Sequence, residues 1–415
     1  MPVPTSTLSP VSAGSAADPL DPTRLFPKRI ASLDGLRGVA IINVLVGHIG
    51  LKSASYSAIM SKPALNWLRA LLTWSNDAAS GVRLFFALSG FLITWLLLVE
   101  EHRKARISLD LFYLRRALRI LPVYYSFLVV AALICAFSSL SLATPSMFLH
   151  AATFTTGWWP DMHALLGHTW SLSVEETFYL LWPPLLCQLK GRRRWIIAWT
   201  VIAATPIVRI ALYRSGQERL LDHSAIGTAD AIMWGCLAAM VLWRWPARVQ
   251  RFTASRSTTG RLLALAVIFI SIAWGWNFHH PALLQLQKVF RPIMVPLLVS
   301  IQAVAFCYLI WSLSLYRRGM MFWLLNTRAM IVTGILSYSL YLWQEIFLMH
   351  ETAYAEGWWQ RFPQNLPLAV MTAIASYVLI ERPMLQLKDR FKAAGAQLHL
   401  ANTAVPGNTT ENVLP

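Results

Sequence analysis

The sequence predicts an all-α, polytopic integral membrane protein of about ten transmembrane helices with both termini in the cytoplasm. Three observations point to it. The 415 residues are 56% hydrophobic and only 13% charged, where soluble domains carry about 25% charged residues. Apolar runs close to the ~20 residues that cross a hydrocarbon core recur along the chain. The Lys and Arg behind the formal net charge of +17 sit in short clusters between those runs, the positive-inside pattern, which argues against a nucleic-acid-binding protein.

The elements follow in order. Residues 1–28 are rich in Ser, Pro, Ala and Thr. They show no apolar h-region behind a basic start, so a disordered tail is expected and not a signal peptide. Apolar runs then occupy roughly 34–52, 80–99, 117–139, 169–189, 195–213, 224–243, 262–279, 292–315, 329–350 and 365–381. Residues 29–392 are expected to form one transmembrane domain, and 393–415 a second disordered tail. No repeat at a fixed period is visible. With the N-terminus inside, the even-numbered loops are cytoplasmic. They hold Arg103, Lys104 and Arg106 with Arg115, Arg116 and Arg119, then Lys190 with Arg192 to Arg194, then Arg244, Arg248, Arg251 and Arg256, then Arg317, Arg318 and Arg328. The loop at 140–168 carries no Lys or Arg. That asymmetry sets the orientation. Cys135, Cys187, Cys236 and Cys307 each lie inside an apolar run. They read as structural thiols, with neither a disulfide framework nor a metal site signalled.

Chemistry-bearing residues are sparse enough to single out. In LDGLRGVAIINVLVGHIG, Arg37 and His48 are eleven residues apart. On a helix that places both on one face about 16 Å apart, with Asp34 one turn before Arg37. Ionisable groups inside a membrane cost several kcal/mol unless they are paired or face a wet cavity. Imidazole suits a general base near neutral pH; the competing reading is a helix-end histidine meeting lipid headgroups. In FYLRRALRILPVYY, Arg116 and Arg119 share a face at the cytoplasmic mouth of the third run, where Pro122 is expected to bend the helix. Planar guanidinium forks match phosphate oxygens, so the pair suits a polyphosphate ligand, against a reading as snorkelling flank charges. In GHTWSLSVEETFYLLWPP, Ser173 and Glu176 have capping-box spacing, whereas Glu175 diverges by about 100° and is expected to point into the bundle, within reach of His48. Further polar positions are Asp230 in the sixth run and Tyr338, Tyr341 and Glu345 at helical spacing in the ninth. Arg83 lies in the second, beside Ser89 and Gly90, a small pair expected at a close helix contact. Glu381-Arg382-Pro383 reads as an interfacial cap at the end of the tenth.

Taken together, these stretches resemble the acyltransferase-3 family, membrane O-acyltransferases of surface polysaccharides and some small molecules. The resemblance runs from about 31 to 390 and rests on motifs in the correct order. They are Arg37 and His48 with ten residues between, GVRLFFALSGFLI, Arg116-Ala-Leu-Arg119, WSLSVEETFYLLWP, SYSLYLW, and the closing Glu381-x-Pro383. Two positions depart from the family pattern. Gln344 follows SLYLW where members often have His, and Arg83 stands where many carry an acidic or amide residue. The resemblance implies a cytoplasmic acyl-CoA donor, acetyl being the family default, a hydroxyl acceptor beyond the membrane, commonly a sugar, and no bound cofactor. Arg116, Arg119 and Arg37 would hold the CoA moiety, and His48, oriented by Glu175, would be the base. Trp158, Trp159 and Trp170 are expected to line an outer cavity or an interfacial aromatic belt.

Two other classes fit parts of the pattern. In a transporter or flippase, Arg37, His48, Glu175 and Asp230 would line a conduction path, but the internal symmetry common in that class is missing. An acyl carrier that hands its group to a separate transferase is the nearest relative of the first reading.

Overall fold

In a computed structural model of the chain, the described residues of each of the ten apolar runs are helical over most of their length, and no strand occurs among the described residues. The structure describes residues 22–26, 30–49, 62–63, 78–137, 143–159, 164–217, 219–277, 284–348 and 357–387. The two expected disordered tails fall outside them, apart from 22–26. There Pro22–Arg24 makes one 3-10 turn, and Phe26 sets its ring edge-on to Phe91 and Trp95.

The helices are α1 (Ala31–Ile49), α2 (Ala78–Lys104), α3 (Leu109–Phe137), α4 (Pro145–Ala152), α5 (Ala164–Gly167), α6 (Thr169–Gln188), α7 (Arg192–Arg214) and α8 (Arg219–His223). They continue as α9 (Ala225–Arg244), α10 (Pro246–Ser255), α11 (Ser257–Asn277), α12 (Leu284–Leu315), α13 (Met320–Leu325), α14 (Arg328–Leu348) and α15 (Asn365–Ser376). Among the described residues eight helical stretches are long and apolar enough to cross a membrane: α1, α2, α3, α7, α9, Pro296–Leu315 of α12, α14, and Asn365–Leu387. The pair α10 and α11, bent by 85° at their junction, makes up to nine. Helix α6, one of the ten expected spans, is not among them. Its first half carries Thr169, Ser171, Ser173, Glu175, Glu176 and Thr177, side chains that suit a polar interior better than lipid. The protein is therefore a multi-pass, all-helical membrane protein.

Burial sorts the helices. Helices α2 and α9 are largely enclosed, whereas α7 and the last span, Asn365–Leu387, are mostly exposed and present Ile207, Met371 and Leu379 outwards. An apolar outer face on a bundle with a polar interior is what a lipid solvent requires. Where helices touch most closely, small residues stand at the crossing. Gly90 of α2 meets the backbone carbonyl of Ile232 on α9, and Gly235 of α9 meets the carbonyl of Ala87 in return. Gly334 of α14 lies against the Asp34 carbonyl of α1, closer than any Cβ could approach. This crossing fixes the register of α1 against α14. Overpacking a filled contact costs about 1–3 kcal/mol. Gly334→Val is therefore expected to lower the melting temperature of the detergent-solubilised protein. Gly167→Ala, whose added Cβ meets nothing within 4 Å, is expected to leave it unchanged.

The last span contains a π-helical turn, Tyr377–Glu381. It turns Glu381 inwards, where its Oε2 accepts a 2.8 Å hydrogen bond from Ser339 Oγ of α14. Glu381 was expected to be an interfacial cap. Instead it is buried and ties the last span to α14.

Candidate active site

Three arginines from two helices meet in one cleft. Arg37 of α1 and Arg116 and Arg119 of α3 line one open cleft. Its walls are completed by Phe85, Phe86 and Ser89 of α2, by Ser171, Glu175 and Tyr179 of α6, and by Ser337, Tyr338 and Tyr341 of α14. The spacing of the motifs explains the convergence. Arg116 and Arg119 are one turn apart on α3, which runs through Pro122 as a single helix. Tyr338 OH donates to the Ile120 carbonyl at 2.8 Å and fastens α14 to that turn. The Arg116 guanidinium lies 4.8 Å from the centre of the Tyr179 ring and 5.8 Å from that of Phe112. A cation on aromatic faces keeps its forks available to an anionic ligand.

Glu175 belongs to this cleft. Its carboxylate accepts hydrogen bonds from Ser89 Oγ at 2.9 Å and from Tyr179 OH at 3.1 Å. Among the described residues those two are its hydrogen-bond partners, and the expected pairing with His48 is not found. Ser173 and Glu176 do not make the expected capping box either. Helix α6 already begins at Thr169, so both lie inside it, and Ser173 Oγ donates to the Phe154 carbonyl at 2.5 Å.

His48 finds its partners on α14. Its Nδ1 is 2.8 Å from the Gln344 side-chain amide and 3.6 Å from Glu345 Oε1. From the other side His168 Nδ1 lies 3.9 Å from the same Glu345 oxygen. Among these side chains His48 is 29% exposed, against 6% for Glu345 and 1% for His168. The imidazole of His48 is thus the reachable member of a buried polar group. The cleft and this group are contiguous. Tyr341 OH donates to the His168 carbonyl at 3.0 Å and is 2.5 Å from Ser171 Oγ, and both Tyr341 and Ser171 line the cleft. The arrangement can hold a polyanion on the arginine side and accept a proton on the imidazole side.

Two expected positions lie elsewhere. Asp230, fully buried in α9, is paired with Arg209 of α7 and accepts a 2.6 Å hydrogen bond from Ser300 Oγ of α12. Arg209 also donates to the carbonyls of Gly227 at 2.5 Å and Pro296 at 2.9 Å. This is a three-helix tie, not part of the cleft. Removing one member of a buried ion pair costs about 3–5 kcal/mol, so Arg209→Ala is expected to melt well below wild type, and Arg209→Ala with Asp230→Asn is expected to recover part of the loss. Trp170 does not line an outer cavity: it is buried, edge-on to Phe86 and His223. Trp158 and Trp159 are exposed, and Trp159 stacks on His150 at 4.4 Å. Asp34 stays in the first turn of α1, where its backbone meets Gly334.

His168 was missed in the sequence, and Gln344 was read there only as a departure. The available signals were the imidazole directly ahead of TWSLSVEE and the Gln344-Glu345 pair closing SYSLYLW, neither of which reveals its partner without the crossing of α1 and α14.

The acyltransferase-domain family matches residues 30–381. The peptidoglycan O-acetyltransferase OatA of Listeria monocytogenes is 29% identical over 177 residues, covering 40% of this chain and 25% of that protein. The O-acetyltransferase OatA of Staphylococcus aureus is 25% identical over 394 residues, covering 88% of this chain and 58% of that protein. The chain thus spans from a quarter to under two thirds of the length of these relatives. No solved structure matches it. With the family match running over most of the chain, from ahead of α1 through the π-helical turn, the protein belongs to the acyltransferase-3 family.

Proposed function

We propose that this protein is a membrane O-acyltransferase of the bacterial plasma membrane. It takes an acyl group, acetyl in the simplest case, from acyl-CoA on the cytoplasmic side and delivers it to a carbohydrate hydroxyl on the far side. The observation that carries the reading is the adjacency of the three-arginine cleft to the His48 group: Tyr341 and Ser171 line the cleft, Tyr341 OH donates to the His168 carbonyl, and the His168 and His48 rings flank Glu345 at 3.9 and 3.6 Å. The name of the Listeria monocytogenes relative adds peptidoglycan as the acceptor to test first.

In this reading Arg37, Arg116 and Arg119 neutralise the phosphates of CoA, and Glu175 limits the net positive charge they leave in the cleft. The thioester arm extends along α1 towards His48, about 16 Å from Arg37 at the helical rise. His48 takes the proton of the acceptor hydroxyl as its oxygen attacks the thioester carbonyl. The carbon–sulfur bond then breaks, the ester keeps the acyl group, and the CoA thiolate leaves with the proton returned by the imidazolium. Glu345, close behind, stabilises the positive charge that His48 carries in between.

The test is acetyl-CoA binding and release of free CoA by the purified protein, with peptidoglycan fragments as acceptor. Binding that CoA competes for, and CoA release stimulated by the fragments, are the expected results. A properly folded protein that binds no short acyl-CoA would remove the donor from the reading and leave transport as the better account of the same polar groups.

A further inference from the structure

Half of one buried amide is left over in this site. Gln344 is fully buried; its Nε2 lies 2.8 Å from His48 Nδ1, while its Oε1, also buried, has no hydrogen-bond partner. Amide nitrogen and oxygen have the same shape, and which of them faces a neighbour follows from the hydrogen-bond network. An N–H aimed at Nδ1 makes that nitrogen an acceptor and puts the ring proton on Nε2, which then has no lone pair for a substrate. Turning the amide over lets the carbonyl accept from Nδ1–H and moves the NH2 group to the position where the oxygen has no partner, so the choice between the two orientations falls to the groups around Nδ1. Glu345 favours the turned amide, since its carboxylate, 3.6 Å away, stabilises a proton on the nitrogen that faces it.

Among the described residues, the titratable groups facing His48 are Glu345 from α14 and, across that carboxylate, His168 from ahead of α6. Helix α2 meets this end of α1 with Ala78 at Gly47 and Gly81 at Asn43. Helices α12 and α13 meet α1 at its other end, at Ser32 and Gly35.

We propose that Gln344 is the positioning residue of the base: its amide oxygen, backed by Glu345, holds the proton of His48 on Nδ1 and leaves the Nε2 lone pair to the acceptor hydroxyl. This rests on His48 being the base. An amide performs the task without titrating, so Gln344 adds no ionisable group at that nitrogen beyond Glu345. It also serves both states of the cycle, because Nδ1 carries a proton in the neutral ring and in the imidazolium.

The experiment uses the full chain in detergent and two near-isosteric variants, Gln344→Glu and Gln344→Leu. Diethylpyrocarbonate acylates an unprotonated imidazole nitrogen, so the pH dependence of His48 modification, followed by mass spectrometry, reads its ionisation without donor or acceptor. In Gln344→Glu a carboxylate replaces the amide against Nδ1, and the midpoint is expected to rise by about one pH unit or more. In Gln344→Leu the acceptor for Nδ1–H is lost, and kcat for CoA release from acetyl-CoA is expected to fall about tenfold to a hundredfold with KM unchanged. Gln344→Glu, which keeps an acceptor, is expected to retain more turnover than Gln344→Leu. An unmoved midpoint in Gln344→Glu, or wild-type turnover in Gln344→Leu, overturns the proposal. If Gln344→Leu does not fold, the midpoint in Gln344→Glu decides alone. His48→Ala separates the two ideas. If it still turns over, the base reading fails and Gln344 with it; if it is inactive while the Gln344→Glu midpoint stays put, only the role of Gln344 falls.

Discussion

His48→Ala is expected to lower acyl transfer by about 10²- to 10⁴-fold, the range that a positioned acid–base group contributes. The fold should survive, for a geometric reason. The His48 side chain is 29% exposed and contributes no large buried surface. Its removal mainly strips the partner from the buried Gln344 amide, at a cost of about 1–3 kcal/mol. The variant should therefore insert, melt slightly below wild type and still bind acetyl-CoA, because the arginine cleft is formed by other side chains. Added imidazole should restore part of the turnover, since the vacated space opens to the surface while Gln344 and Glu345 remain to orient a guest ring. Acyl transfer at the wild-type rate in a well-folded His48→Ala protein would remove imidazole from the chemistry.

What could be read from the sequence was what a single helix carries by itself. The spans were legible because bilayer thickness imposes their length, and Arg116 with Arg119 because three residues on a helix share a face. The one-face alignment of Arg37 and His48 is likewise a property of α1 alone. Partners across helices were not legible. The contact between His48 and Gln344 joins residues 296 positions apart, and it depends on how α14 is rotated against α1, which the close approach at Gly334 fixes. Glu175 was expected beside His48 because it is a carboxylate on an inward face. The inward face of α6, however, turns towards Ser89 and Tyr179.

Asp230 shows the same limit from another side. An acidic residue inside a span needs a counter-charge, and that one is Arg209 of α7, which was not singled out in the sequence. Trp170 was expected at an outer cavity or an aromatic belt, yet it is buried with Phe86 of α2 and His223 of α8 edge-on to its ring. In each case the residue type was informative about cost and silent about direction. A membrane bundle has few charged residues, so each is noticed; which neighbour satisfies it is decided by helix rotation.

Arg116→Ala combined with Arg119→Ala is expected to weaken acetyl-CoA binding by about 10²-fold or more, since each charge-assisted hydrogen bond to a phosphate is worth about 1.5–3 kcal/mol. Neither side chain reaches His48, so the apparent affinity for a carbohydrate acceptor should stay where it was. The sharper readout compares two donors. Acetyl-CoA carries the nucleotide phosphates and acetylpantetheine does not, so wild type should prefer the former strongly and the double variant should prefer it far less. Arg115→Ala is the control, because Arg115 neighbours Arg116 in the same cationic cluster but does not line the cleft. Arg116→Lys should behave more like Ala than like wild type, as an ammonium lacks the planar fork and the flat stacking that place Arg116 over Tyr179. If the preference between donors survives the double substitution, the two arginines only mark the cytoplasmic end of α3. The phosphates would then have to be held by Arg37 or by cations outside the cleft.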